Sequence, residues 1–255
     1  MSNAEQNQPL FGETRTRVTP NHALFTPDAH VTQPLIGWQA TEGVVLVSPA
    51  MGPAPAGPRF VQYLARLTKE SVSLAPTEGV QRLVYVLSGK CELDGNALGV
   101  DDFAWFPPGD AHRITTASEA ELLAFEKPYA PLAGVAVPKR VTGTLADAPA
   151  EPFMGDPDAM LSTLLPIEPG FDMAVNVFIY QSGAVLPLVE THVMEHGLYM
   201  KEGQGVYRLG ENYYPVCEGD SIWMASYCPQ WFVAMGKGPS AYIYYKDIHR
   251  DPLQP

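Results

Sequence analysis

The sequence predicts an all-β protein built from two tandem copies of one unit, with the strand spacing of a barrel or a sandwich. The first observation is punctuation. The 25 prolines and 22 glycines are spread along all 255 residues. The short segments between them are rich in Val, Tyr, Phe, Ile and Trp, the composition of strands joined by tight turns. The second is an internal repeat. The stretch from Arg82 to His112 lies on the stretch from His196 to Gln230, so that RLVYVLSGKCEL matches HGLYMKEGQGVYRL and DDFAWFPPGDAH matches GDSIWMASYCPQ. Gly89 then falls on Gly203, Asp102 on Asp220, Trp105 on Trp223 and His112 on Gln230. Helical periodicity is nearly absent.

Each element follows in chain order. Residues 1–35 carry little period-2 pattern and begin with a polar dozen, so they read as an arm that wraps one barrel or a partner subunit. Residues 36–130 form the first barrel, with LVYVLSG (83–89) and FAWFPPG (103–109) as its clearest strands. Residues 131–160, rich in Pro and Ala, read as a linker. Residues 161–250 form the second barrel, through AVNVFIYQSG (174–183), GVYRLG (205–210), DSIWMA (220–225) and SAYIYYK (240–246).

Composition excludes several function classes. With 28 acidic and 16 basic residues the formal charge is −12, which repels nucleic acid and anionic membrane. An anionic substrate therefore needs a local cation. No apolar stretch reaches the roughly 20 residues of a membrane helix, and MSNAEQNQPL lacks the features of a signal peptide, so a cytoplasmic protein is expected. Three cysteines without CxxC spacing fit reduced thiols.

The chemistry concentrates in the second copy, where Glu190, His192, His196 and Gln230 are four potential metal ligands. Glu190 and His192 are two apart on a predicted strand and share a face, and His196 shares that parity if the strand continues past a turn. Two imidazoles, a carboxylate and an amide oxygen favour Mn²⁺ or Fe²⁺ over a thiolate-type zinc site, with zinc and nickel still open. The alternative is two interior histidines with ordinary hydrogen-bond partners. In the first copy the same slots hold Pro76, Glu78, Arg82 and His112. Arg82 stays protonated and repels a cation, so that barrel is expected to be metal-free and structural, with His112 packed and hydrogen-bonded. Alternation turns Glu195 away from the metal and places Tyr242, Tyr244 and Lys246 on one face. Met194, Met200, Met224 and Met235 are assigned to packing.

The order of these residues resembles the cupin superfamily. Its first motif runs from a glycine through His-x-His to Glu and, six residues on, Gly; a further His follows a Pro-x-Gly turn. Here the positions match with ligand types permuted. The resemblance implies two double-stranded β-helix, or jelly-roll, barrels. More narrowly, ETHVMEHGLYMKEGQGVYRL (190–209), YCPQWF (227–232) and YKDIHRDP (245–252) resemble the (S)-ureidoglycine aminohydrolase family of bicupins. That pattern commonly has Asn where His249 stands. The resemblance implies one Mn²⁺ per chain at Glu190, His192, His196 and Gln230, and release of ammonia from a small anionic ureido substrate in purine breakdown. It also implies substrate contacts from Glu190, Gln230, Tyr207, Tyr242 and Lys246. Lys246 would bind the carboxylate and Tyr242 would donate a hydrogen bond or relay a proton; Tyr207 is either a pocket residue or a core tyrosine. The rivals are another metal cupin such as an Fe²⁺ dioxygenase, and a bicupin that binds a small ligand without catalysis. A homo-oligomer is expected.

Overall fold

Strand alternation sorts the apolar residues of this chain into three separate cores, and a computed structural model covering residues 14–52 and 57–251 shows where they lie. An eight-stranded antiparallel sheet runs in the order Arg17–Val18, His22–Phe25, Ser221–Met224, His196–Glu202, Ser240–Asp247, Met173–Tyr180, Asp156–Thr163, Ala150–Phe153. A seven-stranded sheet runs in the order Val141–Thr144, Asp102–Phe106, Val80–Gly89, Ala120–Pro128, Val61–Leu67, Glu42–Val47, Thr32–Pro34. Each faces a small three-stranded sheet. That of the second barrel is Asn212–Cys217, Gln204–Leu209, Gln230–Met235, and that of the first is Asn96–Leu98, Cys91–Leu93, Ile114–Thr115. These are the two units that the repeat predicts, with the all-β jelly-roll architecture that the cupin resemblance implies.

The two faces of each large sheet have different partners. On Ser240–Asp247, Tyr242 and Tyr244 join the interior of the second barrel with Phe178, Leu198 and Phe232. Ile243 and Tyr245, one residue out of step, join a core that also contains Phe60, Tyr85, Trp105 and Phe125 of the first barrel. The third core fills the first barrel. The large sheets thus pack back to back with their central strands buried on both faces, which explains why those strands read as nearly continuous apolar runs. Gly197 marks the closeness of this packing, because a Cβ there would lie 2.4 Å from the Phe60 ring.

Polar contacts pin the same junction. Glu195 is buried and accepts from Arg59 Nε at 3.0 Å, while its own amide donates to Asp247 at 2.7 Å. This side chain does turn away from its His196 neighbour, as alternation requires, and spends its charge on the other barrel. Asp172 is wholly buried and accepts from Lys127 Nζ and from the Ala130 amide. Lys201 pairs with Asp101 at 2.7 Å.

Residues 131–160 differ from the linker expected of them, since they carry Val141–Thr144, Ala150–Phe153 and the start of Asp156–Thr163. Val141–Thr144 closes on Asp102–Phe106 of the first barrel. The arm does the equivalent for the second barrel, where His22–Phe25 pairs with Ser221–Met224. Arg15 reinforces it with a two-pronged contact to buried Asp220, at 2.7 and 2.9 Å. Ala150–Phe153 is short, exposed and contains Pro152, so its sequence shows no alternation; docking on a sheet edge supplies its order. The three cysteines are free, and no helix among the described residues is long and apolar enough to cross a membrane.

Candidate metal and substrate site

The interior of the second barrel holds a cavity of about 130 Å³ whose lining includes Glu190, His192, His196, Tyr207, Gln230, Tyr242 and Lys246. All seven residues singled out in the sequence therefore reach one space. His196 opens the strand His196–Glu202 and stands directly across from Lys246 on Ser240–Asp247. Gln230 opens Gln230–Met235, and its backbone exchanges hydrogen bonds of 2.8 and 2.9 Å with Glu190. That bridge is isolated: Glu190–His192 is not the regular strand expected, and His192 lies in a loop whose carbonyl accepts from the Tyr227 amide at 2.7 Å. The loop nevertheless returns His192 to the cavity.

The side chains contact one another closely. The His192 and His196 rings stack with centroids 4.7 Å apart. Gln230 Nε2 donates to His192 Nε2 at 2.9 Å, and Tyr207 donates to Gln230 Oε1 at 3.2 Å. The hydroxyls of Tyr180 and Tyr242 are 3.0 Å apart. Burial sets the charge states. It depresses both imidazoles, His196 strongly, with Lys246 adding to the effect, so each presents a lone pair at neutral pH. Burial raises Glu190, and nearby Lys246 partly offsets this; burial lowers Lys246, and Glu190 opposes it. Tyr207 and Tyr242 are pushed up by burial and remain hydroxyl donors.

The fit to a divalent cation can be judged from these donors. His196 Nε2 and His192 Nδ1 are buried without hydrogen-bond partners among the described residues; His192 accepts from Gln230 at Nε2, so its Nδ1 carries the hydrogen, and its lone pair becomes free for a cation when the Gln230 amide turns. Neutral imidazoles, a carboxylate and an amide suit a borderline-to-hard ion. Among the described residues, however, no three His, Cys, Asp or Glu side chains close to metal spacing. The donor types fit, and the Gln230 amide, which turns its NH₂ to His192, would have to turn its oxygen to a cation.

The first barrel presents the same register with different charges. Arg82 pairs across to Glu126, as His196 does to Lys246. Arg82 is wholly buried, and its Nε donates to Glu126 at 2.6 Å. Its Nη1 donates to the Leu74 carbonyl at 2.9 Å and lies 3.2 Å from His112 Nε2. His112 stacks on Phe106 at 3.6 Å. A guanidinium thus occupies the interior at the point where the second barrel has an imidazole.

The apolar wall of the cavity, which includes Phe153, Leu161, Phe178 and Met194, is not evident from the sequence. Met194 is therefore not only packing, whereas Met200 and Met224 are core residues and Met235 is half exposed. Phe153 comes from the supposed linker and meets Phe178 edge-on at 5.0 Å. Its one sequence signal is PFMG, where Met154 and Gly155 both take positive φ in a tight turn that ends the strand at Phe153.

The fold is that of a bicupin, with a cavity inside its second barrel. The chain is 38% identical to an (S)-ureidoglycine aminohydrolase of Arabidopsis thaliana, over 96% of this chain and 82% of that protein. It is 34% identical to the Escherichia coli (strain K12) protein of the same name, over 91% and 90%. The chain belongs to the (S)-ureidoglycine aminohydrolase family of enzymes. The crystal structure of protein Ylba from E. coli superposes with a TM-score of 0.77 at 31% identity, covering 93% of this chain and 96% of that one. An oxalate decarboxylase from Bacillus subtilis, studied for its Mn(II) centres, shares the fold at a TM-score of 0.69 and 11% identity, over 94% and 80%. No protein-family model matches the chain. His249, where the family pattern commonly has Asn, has φ of 56°, a left-handed conformation that Asn adopts readily.

Proposed function

We propose that this protein hydrolyses (S)-ureidoglycine to (S)-ureidoglycolate and ammonia in purine breakdown, with one Mn²⁺ per chain held by Glu190, His192, His196 and Gln230. The observation that carries this reading is Lys246. It faces the same cavity as the four donors and makes no salt bridge among the described residues. An unpaired, half-buried ammonium is the local cation that a carboxylate substrate needs on a chain of charge −12.

In the reaction a C–O bond forms at the α-carbon, the C–N bond to the amine breaks, and the amine leaves with a proton as ammonia. A bound divalent ion would polarise the substrate and lower the pKa of water. Lys246 fixes the carboxylate. Tyr242, kept protonated by burial and hydrogen-bonded to Tyr180, directs a hydroxyl at the substrate and can pass a proton. Tyr207 orients the Gln230 amide. Phe153 and Phe178 exclude water from the apolar side. A small cavity with an asymmetric polar face restricts attack to one side of the α-carbon, as an (S) product requires.

The test is to generate ureidoglycine in place with added Mn²⁺ and follow ammonia and the chirality of ureidoglycolate. Enzyme-dependent ammonia with an (S) product is expected. A racemic product at the spontaneous rate refutes the proposal, and oxygen uptake without ammonia would favour the dioxygenase reading.

A further inference from the structure

A metal-binding imidazole is normally oriented by a hydrogen bond on its other nitrogen. His196 makes no side-chain hydrogen bond among the described residues. Its ring instead stacks on two others, His192 at 4.7 Å and 27° and Tyr244 at 5.4 Å and 22°. Tyr244 is itself held. It is buried, and its hydroxyl accepts from Asn176 Nδ2 at 3.0 Å across the directly paired strands Met173–Tyr180 and Ser240–Asp247.

Asn176 is an unusual residue at this position. It is 2% exposed in the apolar run MAVNVFIY, and its Oδ1 has no partner among the described residues. Burying an unpaired amide oxygen is unfavourable, a cost that an apolar residue in its place would avoid. Packing alone does not account for it.

We infer that Asn176 and Tyr244 are positioning residues for His196: the amide fixes the tyrosine, and the tyrosine ring fixes the plane of the imidazole. The inference rests on the reading of His196 as a ligand to a divalent cation. Stacking here does the orienting that a hydrogen bond does at other metal-bound histidines. The ring face of Tyr244 carries the effect, and its hydroxyl serves only to hold the ring in place.

The test is Mn²⁺ binding to the metal-free full chain, by titration calorimetry and by the electron paramagnetic resonance of bound Mn²⁺, beside the melting temperature of each metal-free variant. Tyr244→Leu is expected to weaken Mn²⁺ binding about 10- to 100-fold, the usual effect of losing an orienting partner. Tyr244→Phe, which keeps the ring but gives up the hydrogen bond from Asn176, should lose the same several-fold as Asn176→Leu and far less than Tyr244→Leu. Asn176→Leu, which frees the tyrosine without touching the imidazole, should weaken binding several-fold with little change in melting. A folded Tyr244→Leu protein that binds Mn²⁺ as tightly as the parent overturns the inference alone, as does a Tyr244→Phe protein that loses as much affinity as Tyr244→Leu. A parent chain that binds no divalent metal overturns both the inference and the ligand assignment beneath it.

Discussion

Replacing Arg82 by Met removes the internal cation of the first barrel while keeping much of its apolar stem. Arg82 is wholly buried and bonded to Glu126, the Leu74 carbonyl and His112. Breaking a buried ion pair by deleting one member costs about 3–5 kcal/mol, because the surviving charge is left without compensation. Here the Glu126 side chain is 19% exposed and still accepts from the Tyr63 hydroxyl at 2.7 Å. The loss should therefore fall at the lower end, about 3 kcal/mol. In a chain of this length that is a drop of roughly 6–12 °C in melting temperature. Adding Glu126→Gln removes the orphaned charge and keeps an acceptor for Tyr63, so the double variant should recover most of the loss. The assay is urea unfolding of the four proteins of the cycle, followed by tryptophan fluorescence. Turnover per folded molecule should be unchanged, because these residues lie in the other barrel from the cavity. An Arg82→Met loss below about 1 kcal/mol would put the pair in the class of exposed ion pairs and refute the reasoning.

Three further outcomes are expected. Lys246→Met should keep metal but raise KM for the carboxylate substrate roughly 10- to 150-fold, the equivalent of about 1.5–3 kcal/mol for a charge-assisted contact; an unchanged KM would remove Lys246 from the substrate site. Gly197→Ala places a methyl 2.4 Å from the Phe60 ring across the barrel junction and should cost about 1–3 kcal/mol by calorimetry, whereas an unshifted melting temperature would show that the junction can open to admit it. Burial depresses His112, with Arg82 adding to the effect, so its folded pKa lies below the unfolded value of about 6.5. Its contribution to stability is present above that value and lost as pH falls through it, so Arg82-intact His112→Gln should show a shallower decline in urea midpoint between pH 7.5 and 5.5 (about one unit either side of 6.5) than the parent.

Much of this arrangement was legible in the sequence because it depends on local periodicity. The repeat placed Arg82 opposite His196, the alternation of SAYIYYK put Tyr242 and Lys246 on the cavity face, and the same rule sent Glu195 outward. What the sequence could not show was held by distant contacts. His22–Phe25 and Val141–Thr144 are ordered because each adds to a sheet assembled from residues far along the chain. Phe153 and Phe178 are residue types that fill any core, and only the closing of the barrel makes them a cavity wall. Asn176 was the missed signal: a lone amide inside an apolar strand implies a partner, and that partner is Tyr244.

The two barrels show how one scaffold gives either an interior filled by an ion pair or one that holds a cavity. In the first, cation and anion face each other on paired strands, and Arg82 and Glu126 satisfy one another. In the second, the position of Arg82 is taken by His196, an imidazole kept neutral by burial, and the position of Glu126 is taken by Lys246. Moving the positive charge from the first strand to the second leaves it without a neutralising partner across the ladder. A neutral imidazole is also smaller than a guanidinium and carries a lone pair, so space and a donor appear together. On the function proposed above, Lys246 accepts a carboxylate from outside and the imidazoles accept a cation. Putting an arginine at His196 should accordingly close the second barrel as Arg82 closes the first, because the guanidinium would fill the cavity and repel both Lys246 and any divalent ion.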